Sequence, residues 1–239
     1  MRIALMAVRL FFQVPFMMLR IWRYGLYKDK FAHHAEAFAA IKKFTTKVNR
    51  AGRVTIKAYG IENVPKEDGF IMFCNHQGLF DVLVFLQTCP KPFSFMAKKE
   101  VKNTILLKQV IKALGAYPIN REDLRQSMGV IQAITADVKR GKNFLIFPEG
   151  TRAPEPNTML EFKGGSFKSA TKAQCPIVPC ALIDAHKPFD ENSIKAVTVK
   201  QMYLPPLYYE EYKDMTTIEI AELVKSRIQV AMTELLDKD

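Results

Sequence analysis

Two periods of apolar placement divide the chain. Up to about residue 50 apolar side chains recur at helical spacing, and from Arg53 onward short apolar runs alternate with helical stretches. Wound at about 100° per residue, positions 2–23 put Arg2, Arg9, Gln13, Arg20 and Arg23 within an arc of roughly 80°. Ile3, Met6, Leu10, Phe11, Val14, Met17 and Met18 fall elsewhere, while Leu5 and Phe16 intrude on the arc. A narrow basic stripe on a greasy cylinder predicts a helix lying among lipid headgroups, its cations toward their phosphates. Arg9 and Gln13 interrupt the apolar run and Pro15 adds a bend. The unbroken pieces therefore fall short of the ~20 residues that a spanning helix needs, though a tilted or re-entrant segment stays open. Arg20 and Arg23 stand where small residues would mark a signal-peptide cleavage site, which argues against one. Trp22, Tyr24 and Tyr27 suit an interfacial belt.

Positions 31–50 repeat the pattern. Phe38, Ile41, Phe44 and Val48 share one face, and Glu36, Lys43, Lys47 and Arg50 share the opposite one. A single such helix packs on its own protein's core as readily as on a membrane. Two in succession favour membrane contact.

The body reads as strands at Val54–Tyr59, 70–74, 93–97, 116–119, 143–147, Ile177–Ile183 and 196–203. Helices are expected at 79–88, 103–114, 122–140, 164–173 and 218–236, with Gly115 and Gly141 as stops. This alternation predicts an α/β fold with a mixed, largely parallel sheet flanked by helices, preceded by an amphipathic two-helix membrane-docking motif. The boundary falls near residue 52, giving a helical hairpin at 1–52 and an α/β domain at 53–239. In such sheets the site lies beyond the carboxyl ends of the strands.

Charge sharpens the picture. The chain of 239 residues carries +11, and positions 1–60 hold twelve Lys or Arg against two acids, leaving +1 for the rest. A basic end on a nearly neutral body implies an anionic partner met by one face. A surface of Phe, Leu and Met fits an anionic membrane better than nucleic acid, which asks for cations among polar or stacking residues. Cys74, Cys89, Cys175 and Cys180 form no C-x-x-C pair and sit in apolar runs, so reduced, buried thiols in a cytosolic setting are expected. No Cys/His cluster has metal-ligand spacing, and no cofactor is called for.

Three segments after predicted strands carry the candidate chemistry. In N-H-x4-D at 75–81, His76 is a candidate general base and Asp81 can fix its tautomer; a helix cap and a first-turn acid are the plainer account. No G-x-S-x-G elbow is present, so the substrate's own hydroxyl is the expected nucleophile. Cys74 is a rival nucleophile disfavoured by its apolar surroundings. In F-P-E-G-T-R at 147–152, Gly150 permits close backbone approach, and Thr151 and Arg152 offer donors suited to phosphate. Arg121 ends G-x-x-x-I-N-R at 115–121, and Lys98 and Lys99 follow another strand. His33, His34 and His186 read as structural.

These segments, with P-I-V-P at 176–179, resemble the glycerolipid acyltransferase family, in particular bacterial 1-acyl-glycerol-3-phosphate acyltransferases. The likeness spans about 54–200, with F-P-E-G-T-R some seventy residues after H-x4-D, and the basic N-terminal helices resemble that family's membrane-docking helices. Pro118 departs from the aromatic or aliphatic residue of many members. The resemblance implies that His76 deprotonates a glycerol hydroxyl and that Asp81 orients His76. It implies direct attack on an acyl thioester, from CoA or acyl carrier protein, with no acyl-enzyme. Arg121 and Arg152, helped by Lys98, would bind the phosphate of lysophosphatidic acid, and Glu149, Gly150 and Thr151 would shape that pocket. The product would be phosphatidic acid, made at the cytoplasmic face of the membrane. Glycerol 3-phosphate or another lysophospholipid is an alternative acceptor, and a non-catalytic lipid-binding protein is the alternative of another class.

Overall fold

The computed structural model describes residues 1–27, 33–98, 105–119 and 123–238. Three helices come first: α1 (Arg2–Arg9), α2 (Val14–Leu26) and α3 (His34–Ala51). The α/β body follows as β1 (Val54–Tyr59), β2 (Ile71–Cys74), α4 (Asp81–Thr88), β3 (Phe93–Lys98), α5 (Ile105–Ala113) and β4 (Tyr117–Ile119). It continues with α6 (Leu124–Lys139), β5 (Asn143–Ile146), α7 (Lys168–Ala173), β6 (Ile177–Ile183), α8 (Lys187–Asp190), β7 (Val197–Tyr203), α9 (Tyr209–Tyr212) and α10 (Thr217–Asp237).

The seven strands form one sheet in the order β1-β7-β6-β2-β5-β3-β4. Every neighbouring pair is parallel except β6 with β7. The mixed, largely parallel sheet flanked by helices is therefore present. Strands β2, β5 and β6 are buried along their whole length, as expected where helices cover both faces. Alternation sorts their side chains: Phe70, Met72 and Cys74 join α3, α4 and α5 on one face. Ile71 and Phe73 join α6, α7 and α10 on the other. At the amino ends of the strands, Asn143 accepts from Gly69 N and Phe70 N and donates to Pro92 O and Asp68, tying β2, β3 and β5 together. Two short helices, α8 and α9, were not expected, because four residues are too few to show a period.

The N-terminal expectation needs correction in three respects. The helix does not run through 2–23; it breaks after Arg9 and restarts at Val14, the two pieces meeting at 93°. Pro15 lacks an N–H, so it fits the first turn of α2 and not the middle of a longer helix. Of the arginines of the first piece, Arg2 turns inward and Arg9 stays exposed while bonding back to the body. Arg2 is only 2% exposed and donates to Gly52 O at 2.6 Å and to Pro188 O at 3.2 Å, while Arg9 donates to Ala51 O at 2.9 Å. Free carbonyls at the C-terminal end of α3 carry partial negative charge and attract them. Ile3, Val8, Phe11, Phe12, Phe16, Leu19, Trp22 and Leu26 are left outside instead. Third, the apolar face of α3 is not a membrane face: Phe38, Ile41 and Phe44 are buried in the core, and Glu36, Lys43, Lys47 and Arg50 point to solvent. No single helix among the described residues is long and apolar enough to cross a membrane; α1 and α2 meet that measure only as a bent pair.

Two consequences of this packing are measurable. Gly60 and Gly141 both hold positive φ, so alanine at either costs about 1–2 kcal/mol in backbone strain. A Cβ on Gly60 would stand 2.1 Å from the backbone oxygen of Tyr203, whereas one on Gly141 meets nothing within 4 Å. Gly60→Ala should therefore lower the urea midpoint clearly more than Gly141→Ala.

His34 is the second. Burial, with Lys142 adding to the effect, lowers its pKa from 6.5 to about 4, and its Nε2 is buried without a hydrogen-bond partner. Between those pH values the unfolded chain binds a proton that the folded chain refuses, so this contribution is lost as pH falls from 6.5 to 4. The full loss is about 3 kcal/mol. Urea unfolding at pH 7 and pH 5 should register it, and His34→Gln should flatten the difference.

Candidate active site

Strand β2 delivers Asn75 and His76 to the carboxyl edge of the sheet, between β5 and β6. Asn75 is fully buried and pairs with both backbone groups of Leu182, accepting from N at 2.8 Å and donating to O at 2.9 Å. It extends the β2–β6 pairing one residue past the last strand position, so His76 leaves the sheet in a defined direction.

The loop then folds back on the start of α4. Asp81, 0% exposed, accepts from His76 Nδ1 at 2.7 Å, from Gln77 N at 2.7 Å and from Gly78 N at 3.0 and 3.1 Å. Because the carboxylate accepts a hydrogen bond from Nδ1–H, Nε2 of the neutral imidazole is left as an acceptor. The ring is stacked on Phe147 from the end of β5, with centroids 4.5 Å apart, and keeps 19% of its side chain exposed. Gln77 reaches the other way, accepting from Ala185 N and donating to Leu182 O and Asn157 Oδ1. Asn157, at positive φ, bonds in turn with Asp184.

Glu149 lies under the site. It is 1% exposed, and its two oxygens accept from His76 N at 2.7 Å and Leu160 N at 2.8 Å. Burial raises its pKa above the ordinary 4.5, and the two N–H donors oppose that rise. The carboxylate thus braces the loop, and does not line the surface as expected from the sequence. Gly150 turns at φ +79°, a conformation open to glycine. The Lys163 side chain lies across it, its Nζ 3.0 Å from where a Cβ would stand. Thr151 is exposed. Arg152 is about half exposed and lies 3.4 Å from Asp190. Together with Gln77, Asn157 and His186 these two line a cleft of about 290 Å³, which His76 adjoins through Gln77 and through Ala153 N without lining it.

His76, Asp81, Glu149, Gly150, Thr151 and Arg152 are therefore gathered in one place. Arg121 lies outside the described residues. Lys98 closes β3, and its side chain also lies outside what is described. Sequence reasoning missed Gln77, Asn157 and Asp184. Their partners are about 80 to 108 positions away or on an irregular turn, and no periodic signal marks them.

A largely parallel sheet with a buried His–Asp pair at its carboxyl edge narrows the class, and the sequence pattern of the Acyltransferase family matches residues 55–183. The chain belongs to that family. It is 31% identical over 141 residues to the 1-acyl-sn-glycerol-3-phosphate acyltransferase of Borreliella burgdorferi, covering 59% of this chain and 56% of the relative. It is 32% identical over 127 residues to the protein of that name from Bacillus subtilis, covering 53% and 61%. The chain thus spans little more than half the length of these curated relatives. The crystal structure of the 1-acyl-sn-glycerophosphate (LPA) acyltransferase PlsC from Thermotoga maritima superposes with a TM-score of 0.78 over 100% of this chain and 99% of that one. At 22% identity that likeness is one of fold.

Glu149→Gln tests the brace. An amide offers one acceptor where two N–H donors need one each, so one buried bond is lost, at about 1–3 kcal/mol. The urea midpoint should fall. A higher midpoint would mean that desolvation of the carboxylate outweighs its two bonds.

Proposed function

We propose that the chain is a 1-acylglycerol-3-phosphate O-acyltransferase, moving a fatty acyl group from a thioester to the sn-2 hydroxyl of lysophosphatidic acid. The observation that carries this reading is His76, held through Nδ1 by Asp81 and 19% exposed, next in the chain to Gln77, which lines a cleft with Arg152. Nε2 takes the hydroxyl proton as the oxygen attacks the thioester carbonyl. The C–S bond then breaks, the ester remains, and the imidazolium returns the proton to the departing thiolate. Asp81 stabilises the imidazolium. Cys74, two residues away, is a poor nucleophile: it is fully buried, and burial pushes its thiol well above its usual range.

Arg152 binds the acceptor phosphate, which displaces Asp190. Arg121 and Lys98 complete the phosphate site, as the family resemblance implies. Gly150 and Thr151 shape its turn, and Glu149 fixes the backbone of His76. The bent pair α1–α2 supplies the membrane contact, its exposed Phe11, Phe12, Phe16 and Trp22 entering an anionic bilayer on the cytoplasmic side. The donor is acyl-CoA or acyl carrier protein.

The test is transfer from a labelled thioester to lysophosphatidic acid on anionic vesicles. His76→Ala should lose about 10²–10⁴-fold in kcat, and Asp81→Asn a comparable amount, with acceptor KM little changed. Arg152→Ala should chiefly raise acceptor KM. Product with glycerol 3-phosphate or another lysolipid alone would keep the mechanism and change the substrate. No transfer by the wild type to any of them would leave a lipid-binding protein.

A further inference from the structure

The proposed reaction leaves one buried cation unexplained. Arg2 sits at the start of α1, far in sequence from the site, and is 2% exposed, with the carboxylate of Glu191 near enough to attract it. Burying a guanidinium is costly, and an apolar side chain would hold α1 against the body at lower cost. What the arginine adds is reach: it donates at once to Gly52 O, after α3, and to Pro188 O, within α8.

Helix α8 is the wall of the candidate site. Phe189 packs edge-on against Phe80 with centroids 5.2 Å apart, and Phe80 immediately precedes Asp81. A Cβ on Gly78 would stand 3.5 Å from both Asp190 Oδ2 and the Cα of His186, so α8 abuts the loop that presents N–H groups to Asp81. Asp190 also faces Arg152 at 3.4 Å. A continuous chain of contacts therefore runs from the exposed apolar helix α1 through Arg2 to α8, and from α8 to both halves of the site.

We propose that Arg2 is a positioning residue, linking the membrane-facing helix to α8 so that seating α1 on a bilayer sets the acceptor cleft around Arg152. The proposal rests on the acyltransferase reading above and on membrane contact by α1. Arg2 touches no substrate. It limits where α8 can stand, and α8 limits where Asp190 leaves Arg152 and where Phe80 leaves the N-terminus of α4. Lysine keeps the charge and can reach a carbonyl, but lacks the fork that spans two. Methionine fills similar space and breaks the link.

The experiment uses the full chain as wild type, Arg2→Met, Arg2→Lys and Phe189→Ala. Sedimentation with phosphatidylglycerol vesicles reports docking. Steady-state transfer to lysophosphatidic acid on those vesicles reports KM and kcat, and thermal unfolding reports folding. Arg2→Met should bind vesicles within about twofold of wild type and raise acceptor KM about tenfold, with donor KM unchanged. Arg2→Lys should recover part of the loss. Phe189→Ala, with the Arg2 clamp intact, should lower kcat while vesicle binding is unchanged. Loss of vesicle binding and activity in parallel for Arg2→Met would mean that Arg2 only anchors α1, and would overturn the proposal. So would unchanged kinetics in both Arg2→Met and Phe189→Ala. If Arg2→Met fails to fold, wild-type-like kcat in Phe189→Ala overturns it alone. No transfer by the wild type removes the acyltransferase reading and the proposal with it; transfer by the wild type without vesicle binding removes only the membrane link.

Discussion

A carboxylate without solvent contact must find its donors inside the protein, and Asp81 finds three: the imidazole of His76 and the backbone N–H groups of Gln77 and Gly78. Meeting that demand folds the 76–80 loop back over the first turn of α4, where unsatisfied N–H groups already favour negative charge. The loop can take no other path without leaving the charge unpaired. His76 therefore has its ring plane and its tautomer set before any substrate arrives.

The same economy of buried polar groups joins the other segments to this loop. Asn75 fixes the exit from β2 against β6, Gln77 holds Ala185 and Leu182, and Glu149 reaches from the end of β5 to the backbone of His76. Each partner pair is long-range, so none of these bonds forms until the strands are paired. The sheet brings the three segments close, and the polar bonds convert closeness into a fixed geometry. That division of labour matches the rule that ligand sites in open α/β sheets lie beyond the carboxyl ends of the strands.

The centre of the sheet was legible because β2, β5 and β6 are buried on both sides and therefore appear as apolar runs. All seven strands and the five longer body helices were expected within a few residues of where they lie. N-H-x4-D was legible for a related reason: its two partners are five positions apart, so local spacing alone brings them together. How Glu149 acts was not legible, because nothing local distinguishes an acid that faces a ligand from one that accepts backbone N–H groups eleven and seventy-three residues away.

The N-terminal arginines show the deeper limit. A helical wheel separates a basic stripe from an apolar one, yet it cannot say which stripe is outside. For Arg2 and Arg9 the outcome was set by carbonyls at the end of α3, visible only once α1 and α3 pack together. That inversion strengthens the case for a membrane partner. A helix that turns Arg2 inward and leaves Ile3 and Val8 in water, with Phe11 and Phe12 exposed just after it, offers apolar surface that a bilayer can cover. Arg9, Arg20 and Arg23 are the exposed cations of this helix pair, the last two beside Trp22 on α2. Apolar burial would come mainly from the break between the helices, and electrostatic attraction from the end of α2. In the proposed membrane contact the exposed Phe11–Phe12 corner is the part that would enter deepest.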